Sequence, residues 1–355
     1  MKKISIDAVR DADMTELSGK TVLVTGGCGS IGSKIVSRSL DKGAKTVRVF
    51  DNDEKSLFRL QHQIGDERLR CLLGDVRDRD RLRLALEGID VVFHAAALKH
   101  VELNEYNPFE TVQTNVVGTQ NLIRAALEEE VESFVAVSTD KASNPASVMG
   151  ATKLLSERLV IAANAYKGDR ETTFGCVRFG NVLGSSGSVV PVFYEQIKDG
   201  GPVTVTSPEM TRFVMPIGDA VDLVLSSYER MQGGEVFVLK MPTFDVGTLA
   251  EAMIAQYASE FGYDEQEVDI EIIGPRPGER WHEKLISEDE LSNTDELEDV
   301  FVIHPDIDMP SYDITKGNEH TLEREYTSES GRRLSHSEII DMIESAGVVE
   351  NDESQ

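Results

Sequence analysis

Six short runs of apolar, largely β-branched residues, each followed by a helical pattern, constrain this chain more than any other feature. Thr21–Thr25, Thr46–Phe50, Leu69–Leu73, Asp90–His94, Ser133–Ser138 and Thr173–Phe179 read as strands. Helices are expected between them at about 31–42, 54–64, 78–87, 108–130 and 147–165. Strands that are apolar on both faces belong to a parallel sheet covered by helices on either side. The fold expected is α/β, a Rossmann-type doubly wound parallel sheet. After Gly180 glycine, proline and serine become frequent and the units shorten, which predicts a smaller mixed α/β substrate-binding lobe. Its elements are a helix near Ile217–Met231, a strand Glu235–Lys240, a helix near Val246–Phe261, a strand Val268–Ile273 and a last helix near Ser335–Ser345. The expected division is 1–19 as an N-terminal extension, 20–180 as the nucleotide-binding domain, 181–287 as the second lobe and 288–355 as an acidic C-terminal segment.

The 355 residues carry 36 Lys+Arg against 63 Asp+Glu, a formal charge of −27. That balance argues against a nucleic-acid partner, because phosphate backbones are held by clustered cations. From Glu283 onward there are 21 acidic and 5 basic residues, read as a solvated acidic surface or as one adapted to a salt-rich cytoplasm. Ser287–Asp299 reads as an exposed loop or short helix. Cys28, Cys71 and Cys176 are scattered with no metal-type spacing, so neither a disulfide framework nor a metal site is expected. No apolar run reaches the roughly 18 residues of a membrane span, and a cytoplasmic protein is expected.

The first strand runs directly into Thr25-Gly26-Gly27-Cys28-Gly29-Ser30-Ile31-Gly32, which opens the first helix. Glycines let the backbone turn tightly against a pyrophosphate, and the helix N-terminus offers free N–H groups and a positive dipole end. In this strand–turn–helix setting the pattern predicts dinucleotide binding. Asp51 closes the second strand 22 to 25 residues beyond Gly29 and Gly26. A carboxylate there accepts from both adenosine ribose hydroxyls and repels a 2′-phosphate, which favours NAD over NADP. Asp75, in Gly74-Asp75-Val76, either contacts adenine with its neighbour's backbone or caps the following helix.

The fifth strand ends in Ser138-Thr139-Asp140-Lys141, at the sheet edge where ligands bind in such folds. A hydroxyl, a carboxylic acid and an amine in succession suit acid–base chemistry, or a structural salt bridge. With these residues quoted, the chain resembles the extended short-chain dehydrogenase/reductase superfamily, and within it the UDP-N-acetylglucosamine 4,6-dehydratases of polysaccharide biosynthesis. The matching text is TGGCGSIG, HAAALKHVELNEYNPFETVQTNVVGTQNL, STDKASNPASVMGATK, RFGNVLGSSGSVVPVF, TRFVMPIGDAV and RPGERWHEKL. The resemblance implies an internal redox cycle on the sugar: oxidation at C4, loss of water across C5–C6, and return of the hydride to C6, with no net consumption of NAD. In it Thr139 bonds the C4 oxygen, Asp140 is the general acid for the 6-hydroxyl, and Lys141 is the base at C5 if its neighbours lower its pKa. Lys153 bonds the nicotinamide ribose. The superfamily's usual Tyr-x-x-x-Lys is Met149 with Lys153 here, and a thioether cannot take a proton. The chain therefore resembles the branch in which Met replaces Tyr, or else a binding protein without turnover.

By the same resemblance Ser30, Ile31, Val76, Ala95, Ala97 and Asn115 join the cofactor contacts, with Asn115 holding the active-site backbone through water or simply buried. Two phosphates entering so acidic a protein need local cations; the candidates are Lys99, Arg178, Arg212, Arg276 and Arg280. Asn181, Ser185 and Val189 approach the diphosphate and uridine, and Glu279 accepts from the uridine ribose. The partners expected are a UDP-sugar, UDP-N-acetylglucosamine first, and a second copy of the chain packed through the helices at 108–130 and 147–165. A UDP-sugar 4-epimerase is the other enzyme reading, and a non-catalytic NAD or UDP-sugar sensor the reading of a different class.

Overall fold

The structure is a computed structural model that describes residues 17–185, 188–276, 278–307, 309 and 322–349. Residues 1–16 of the expected extension, Ser186, Gly187 and Pro277 of the expected binding loops, and much of the acidic C-terminal stretch lie outside the described residues. The first half alternates as the apolar periodicity predicts. In chain order it runs β1 (Thr21–Thr25), α1 (Ser30–Asp41), β2 (Thr46–Asp51), α2 (Glu54–Ile64), β3 (Leu69–Leu73), α3 (Arg79–Leu86) and β4 (Val91–His94). Two short helices follow, α4 (Val101–Tyr106) and α5 (Pro108–Thr111), then α6 (Gly118–Glu128), β5 (Ser133–Thr139), α7 (Asp140–Ser143), α8 (Val148–Tyr166) and β6 (Thr173–Phe179). Helix ends are chemically marked: Asp53 and Asp78 cap α2 and α3 by accepting from Ser56 and Arg81 N–H groups.

The helix expected at 108–130 is interrupted. Val112–Val117 form a π turn between α5 and α6, and that turn carries the buried Asn115.

The second half contributes β7 (Asn181–Val182), α9 (Val189–Lys198), β8 (Val203–Val205), β9 (Thr211–Met215), α10 (Ile217–Arg230), β10 (Val236–Leu239), β11 (Thr243–Asp245), α11 (Val246–Tyr257) and β12 (Ile270–Ile272). It ends with β13 (Lys284–Ile286), β14 (Thr294–Glu296), β15 (Val300–Ile303), β16 (Tyr326–Thr327) and α12 (His336–Ser345). Among the described residues the main sheet has nine strands in the order β14-β15-β10-β6-β5-β4-β1-β2-β3. Seven of them, from β10 to β3, are parallel, and β15 and β14 close one edge antiparallel. The order reverses at β1, which pairs with both β2 and β4; the crevice beyond their carboxyl ends is where such sheets bind ligands.

This topology corrects the linear division. Val236–Leu239 was expected in the second lobe, yet it extends the main sheet against β6, and Thr294–Glu296 and Val300–Ile303 of the acidic segment follow it. The physical reason is edge coverage: β6 is buried along almost its whole length and needs a pairing strand on its free side. The lobe proper is the second core, built by α9, α11, α12 and β8 around Phe193, Leu249, Met253 and Ile343.

Arg178 on β6 is a second correction. Rather than facing a phosphate, it is 1% exposed and holds Glu157 of α8 at 2.7 Å and Glu290 at 2.8 Å, with Nη1 donating to the Leu285 carbonyl. Burial works against its charge, but the two carboxylates outweigh that and keep the guanidinium firmly protonated. Removing one partner of such a network leaves an uncompensated buried charge. Arg178→Ala should therefore cost about 3–5 kcal/mol, read as a lowered urea midpoint at unchanged slope.

Candidate active site

Two cavities adjoin at the switch point, one of about 470 Å³ against the glycine turn and one of about 650 Å³ beyond β5. Ile31, Ala95, Ala97, Lys99 and Ser185 line both. The glycine turn is built so that only hydrogen fits. Gly26 has φ +64° and a Cβ there would sit 2.6 Å from the Ala96 backbone; a Cβ on Gly32 would meet the Gly26 carbonyl oxygen at 2.2 Å. No acidic residue occupies the first turn of α1, so its N-terminal N–H groups face the smaller cavity without a competing carboxylate.

Gly26, Gly29, Ser30, Ile31, Gly32, Asp51, Asp75, Val76, Ala95 and Ala97 all line this cavity. Asp51 is fixed by two backbone donors, Cys28 N at 3.0 Å and Asp53 N at 3.1 Å. Arg48 turns away to the Ala85 and Glu87 carbonyls, and among the described residues no arginine lines the cavity with Asp51 to receive a 2′-phosphate. Asp75 is clasped by Arg77 through both carboxylate oxygens, which pulls its pKa down and keeps it ionised. The cradle fits a dinucleotide with free ribose hydroxyls. Asn115 is different: it lines neither cavity. Its Oδ1 accepts from Leu98 N at 2.8 Å and its Nδ2 donates to Leu98 O and Thr152 Oγ1, so it holds the loop after β4 directly rather than through water.

In the larger cavity Lys99, Lys141, Lys153, Arg212 and Arg276 face Glu102, Glu279 and Glu283, so the wall is locally cationic in a chain of net charge −27. Arg212 is buried and holds Glu279 at 3.3 Å, and Glu279 also accepts from Arg276 N. Arg280 instead donates to Asn144. Asn181 and Ser185 line the cavity, and Asn181 Oδ1 is buried with no partner among the described residues. Val189 packs against the second core, and it is the neighbouring Ser188 that lines the cavity.

At the end of β5, Thr139 Oγ1 and Lys141 Nζ donate to the same oxygen, Asp140 Oδ1, each at 2.9 Å. Thr139, Lys141, Met149 and Lys153 line the cavity. The Asp140 side chain does not, being wholly enclosed. Burial alone would lower the Lys141 pKa, but Asp140 and then Glu283, 3.8 Å away, outweigh it and raise it. The condition set for Lys141 as a resting base, a lowered pKa, is therefore not met. Lys153 donates to Val137 O at 2.6 Å, and burial lowers its pKa. Glu283, which sequence reasoning passed over, is buried on the cavity wall with its pKa raised by burial. Its signal lay in the quoted RPGERWHEKL, from which Arg276, Glu279 and Arg280 were read as candidates and Glu283 was not. His94 is structural: burial drives its pKa down to about 3, and its ring nitrogens meet Thr25 and Thr119 hydroxyls.

Residues 22–305 match the family model described as polysaccharide biosynthesis protein. The chain belongs to that family. Among its relatives are an uncharacterized membrane protein of Methanocaldococcus jannaschii, 58% identical over 81% of this chain and 86% of that protein. A UDP-N-acetylglucosamine 4,6-dehydratase (inverting) of Campylobacter jejuni is 40% identical over 82% of this chain and 85% of its own. A UDP-glucose 4-epimerase of Rickettsia massiliae is 37% identical over 91% and 95%. The solved structure of Pen from Bacillus thuringiensis superposes with a TM-score of 0.87 at 40% identity, covering 94% of this chain and 99% of that one. Together they establish a member of this polysaccharide biosynthesis family with a Rossmann-type short-chain dehydrogenase/reductase fold. Among the described residues no helix is long and apolar enough to cross a membrane.

The cradle yields a direct test. Gly32→Ala must displace the Gly26 carbonyl, so calorimetric titration with NAD should show binding lost while the variant's circular dichroism stays that of a folded α/β protein.

Proposed function

We propose that this protein is an NAD-dependent UDP-N-acetylglucosamine 4,6-dehydratase, converting its substrate to a UDP-4-keto-6-deoxy sugar for polysaccharide or glycan biosynthesis. The observation that carries the reading is the Thr139–Asp140–Lys141 hydrogen-bonded group on the wall of a cavity adjoining the glycine cradle, with Met149 where a tyrosine base would stand. The dehydratase relative from Campylobacter supports the substrate. NAD bound along the cradle would supply the acceptor for the C4 hydride and hold it until its return to C6.

The chain's own groups do the rest. Arg212 and Arg276 meet the diphosphate, Asn181, Ser185 and Glu279 the nucleoside side, and Lys99 the sugar. Thr139 bonds the C4 oxygen and Lys153 the nicotinamide ribose. Once C4 is a ketone, the C5 proton becomes acidic. Glu283, a carboxylate made more basic by burial, takes it, and the Lys141 ammonium protonates the departing 6-hydroxyl. This reverses the expectation that Lys141 is the base, because two carboxylates hold its proton on, and it moves the acid's role to Lys141 from Asp140, whose enclosed side chain does not line the cavity.

The pH profile follows in sign. Glu283 must be ionised and its pKa is raised, so activity should fall on the acid side at a pH above the ordinary carboxylate range. Lys141 must be protonated and its pKa is also raised, so the alkaline limb should lie above the ordinary lysine range. Glu283→Gln should remove the acid limb from kcat/KM along with most of the activity.

The reading itself is tested by NMR of the protein with UDP-N-acetylglucosamine in deuterated buffer, at low and high salt. Loss of the H5 signal and a new 6-methyl group beside deuterium at C5 are expected. A C4 epimer with an intact 6-hydroxymethyl would instead establish the epimerase reading, which the Rickettsia relative favours. An unchanged spectrum with both ligands bound would support a sensor. Homo-oligomerisation is also proposed: Leu103, Tyr106, Phe109 and Leu155 are exposed on or beside the helices expected to pair, and light scattering should give at least twice the 39.2 kDa chain mass.

A further inference from the structure

The stretch from β7 to the start of α9 brings Asn181, Ser185 and Ser188 to the larger cavity. Asn181 Oδ1 and Ser188 Oγ are buried with no partner among the described residues. Ser188 stands at the N-cap of α9, where a serine ordinarily accepts from its own helix, yet its hydroxyl makes no such bond. Buried polar atoms left unpaired are costly. Both atoms are thus kept for a ligand, and the backbone that presents them has to be held from behind.

Both ends of the stretch are anchored in the second core, by Leu183 before the turn and Val190 after it. Leu183 N also donates to Met215 O of β9 at 2.9 Å. The turn itself is made at Gly184, an exposed residue with φ +74°, in the region that favours glycine. Gly184 has no side chain with which to pack. A Cβ there would meet a single neighbour within 4 Å among the described residues, Val348 Cγ2 at 3.2 Å.

Local chemistry delivers Val348 to that place. α12 starts at a capping box between Ser335 and Glu338 and stops at Gly347, φ +60°, whose N–H donates to the Glu344 carbonyl. The left-handed turn sends Val348 and Val349 back against the second core, to which α12 contributes Ile339, Ile340 and Ile343. A stretch read from sequence as an acidic surface therefore supplies the apolar backing of a turn whose other side faces the cavity.

We propose, resting on the UDP-sugar reading above, that Val348 is a positioning residue for nucleotide binding. It lines neither cavity and acts through the bare Gly184 backbone, setting Asn181, Ser185 and Ser188 in place before the UDP-sugar arrives. A loop already held in its binding conformation spares the ordering that association would otherwise cost. Thr139 and Lys141 stand at the end of β5 in the main sheet, whereas Val348 packs in the second core, so the effect falls on binding and not on the chemistry.

The test is calorimetric titration of the NAD-loaded protein with UDP, with kcat and KM for UDP-N-acetylglucosamine and the urea midpoint of every variant. Val348 is half-buried beyond the last helix, so Val348→Ala keeps the fold. It should raise the UDP Kd and the sugar-nucleotide KM about 5- to 10-fold, with kcat and the NAD Kd unchanged. Val348→Ile keeps the branch at Cβ and should bind UDP as the wild type does. Val349→Ala is the control, because Val349 also packs against the second core and should leave the UDP Kd unchanged at a similar urea midpoint. A Val349→Ala that weakens UDP as much as Val348→Ala reduces the effect to lost core packing and overturns the proposal. A Val348→Ala with the wild-type UDP Kd also overturns it, while the dehydratase reading stands if the wild type turns over. A wild type that binds UDP without dehydrating the sugar overturns that reading alone, since the UDP Kd values still decide the role of Val348. A wild type that binds no UDP overturns both.

Discussion

The buried guanidinium of Arg178 is the interaction on which the arrangement of the site depends. It sits on β6 and holds α8 through Glu157, β13 through Leu285 O, and the short helical turn at Glu288–Asn293 through Glu290. α8 carries Met149 and Lys153, and Glu283 stands just before β13. One desolvated cation thus sets the spacing between the wall bearing Lys153 and the wall bearing Glu283. Enclosing three charges is costly, and the return is directional: a guanidinium fork donates to its carboxylates in only a few geometries.

The same principle operates on a smaller scale at the end of β5. Lys141 lies between Asp140 and Glu283, so a single cation faces two carboxylates. Proton positions within such a group are coupled, since moving one changes the affinity of the others. In the proposed reaction this coupling links Lys141 as the acid to Glu283, brought to it from a distant part of the chain, as the base. Around it, the cationic cavity wall offsets the strongly negative chain over a short range, where desolvation makes local charge count for more than the distant field.

Much of this was legible in the sequence. The alternation of apolar runs placed six parallel strands, and the glycine turn announced its cavity because tight turns and helix starts are local chemistry. Residues at strand ends, Asp51, Thr139 and Lys141, were likewise readable, because a parallel sheet delivers its carboxyl ends to one edge. Arg178 and Val189 were misread. Both sit in motifs that reach the site, but whether a side chain faces the cavity or the core depends on which element packs behind it. Glu283 was missed because its role exists only opposite Lys141, well over a hundred residues away in the chain.

What the sequence by itself determined is the set of local events: strand and helix identities, caps, the glycine cradle, and the order Thr139-Asp140-Lys141. The tertiary structure alone decided the partnerships. It put β10, β14 and β15 onto the main sheet instead of in a separate lobe, turned Asn115 inward on a π turn to hold Leu98, enclosed Asp140, and brought Glu283 to Lys141. Periodicity and capping are set by neighbours in sequence, whereas burial and the charge on a carboxylate are set by whatever the fold brings against it.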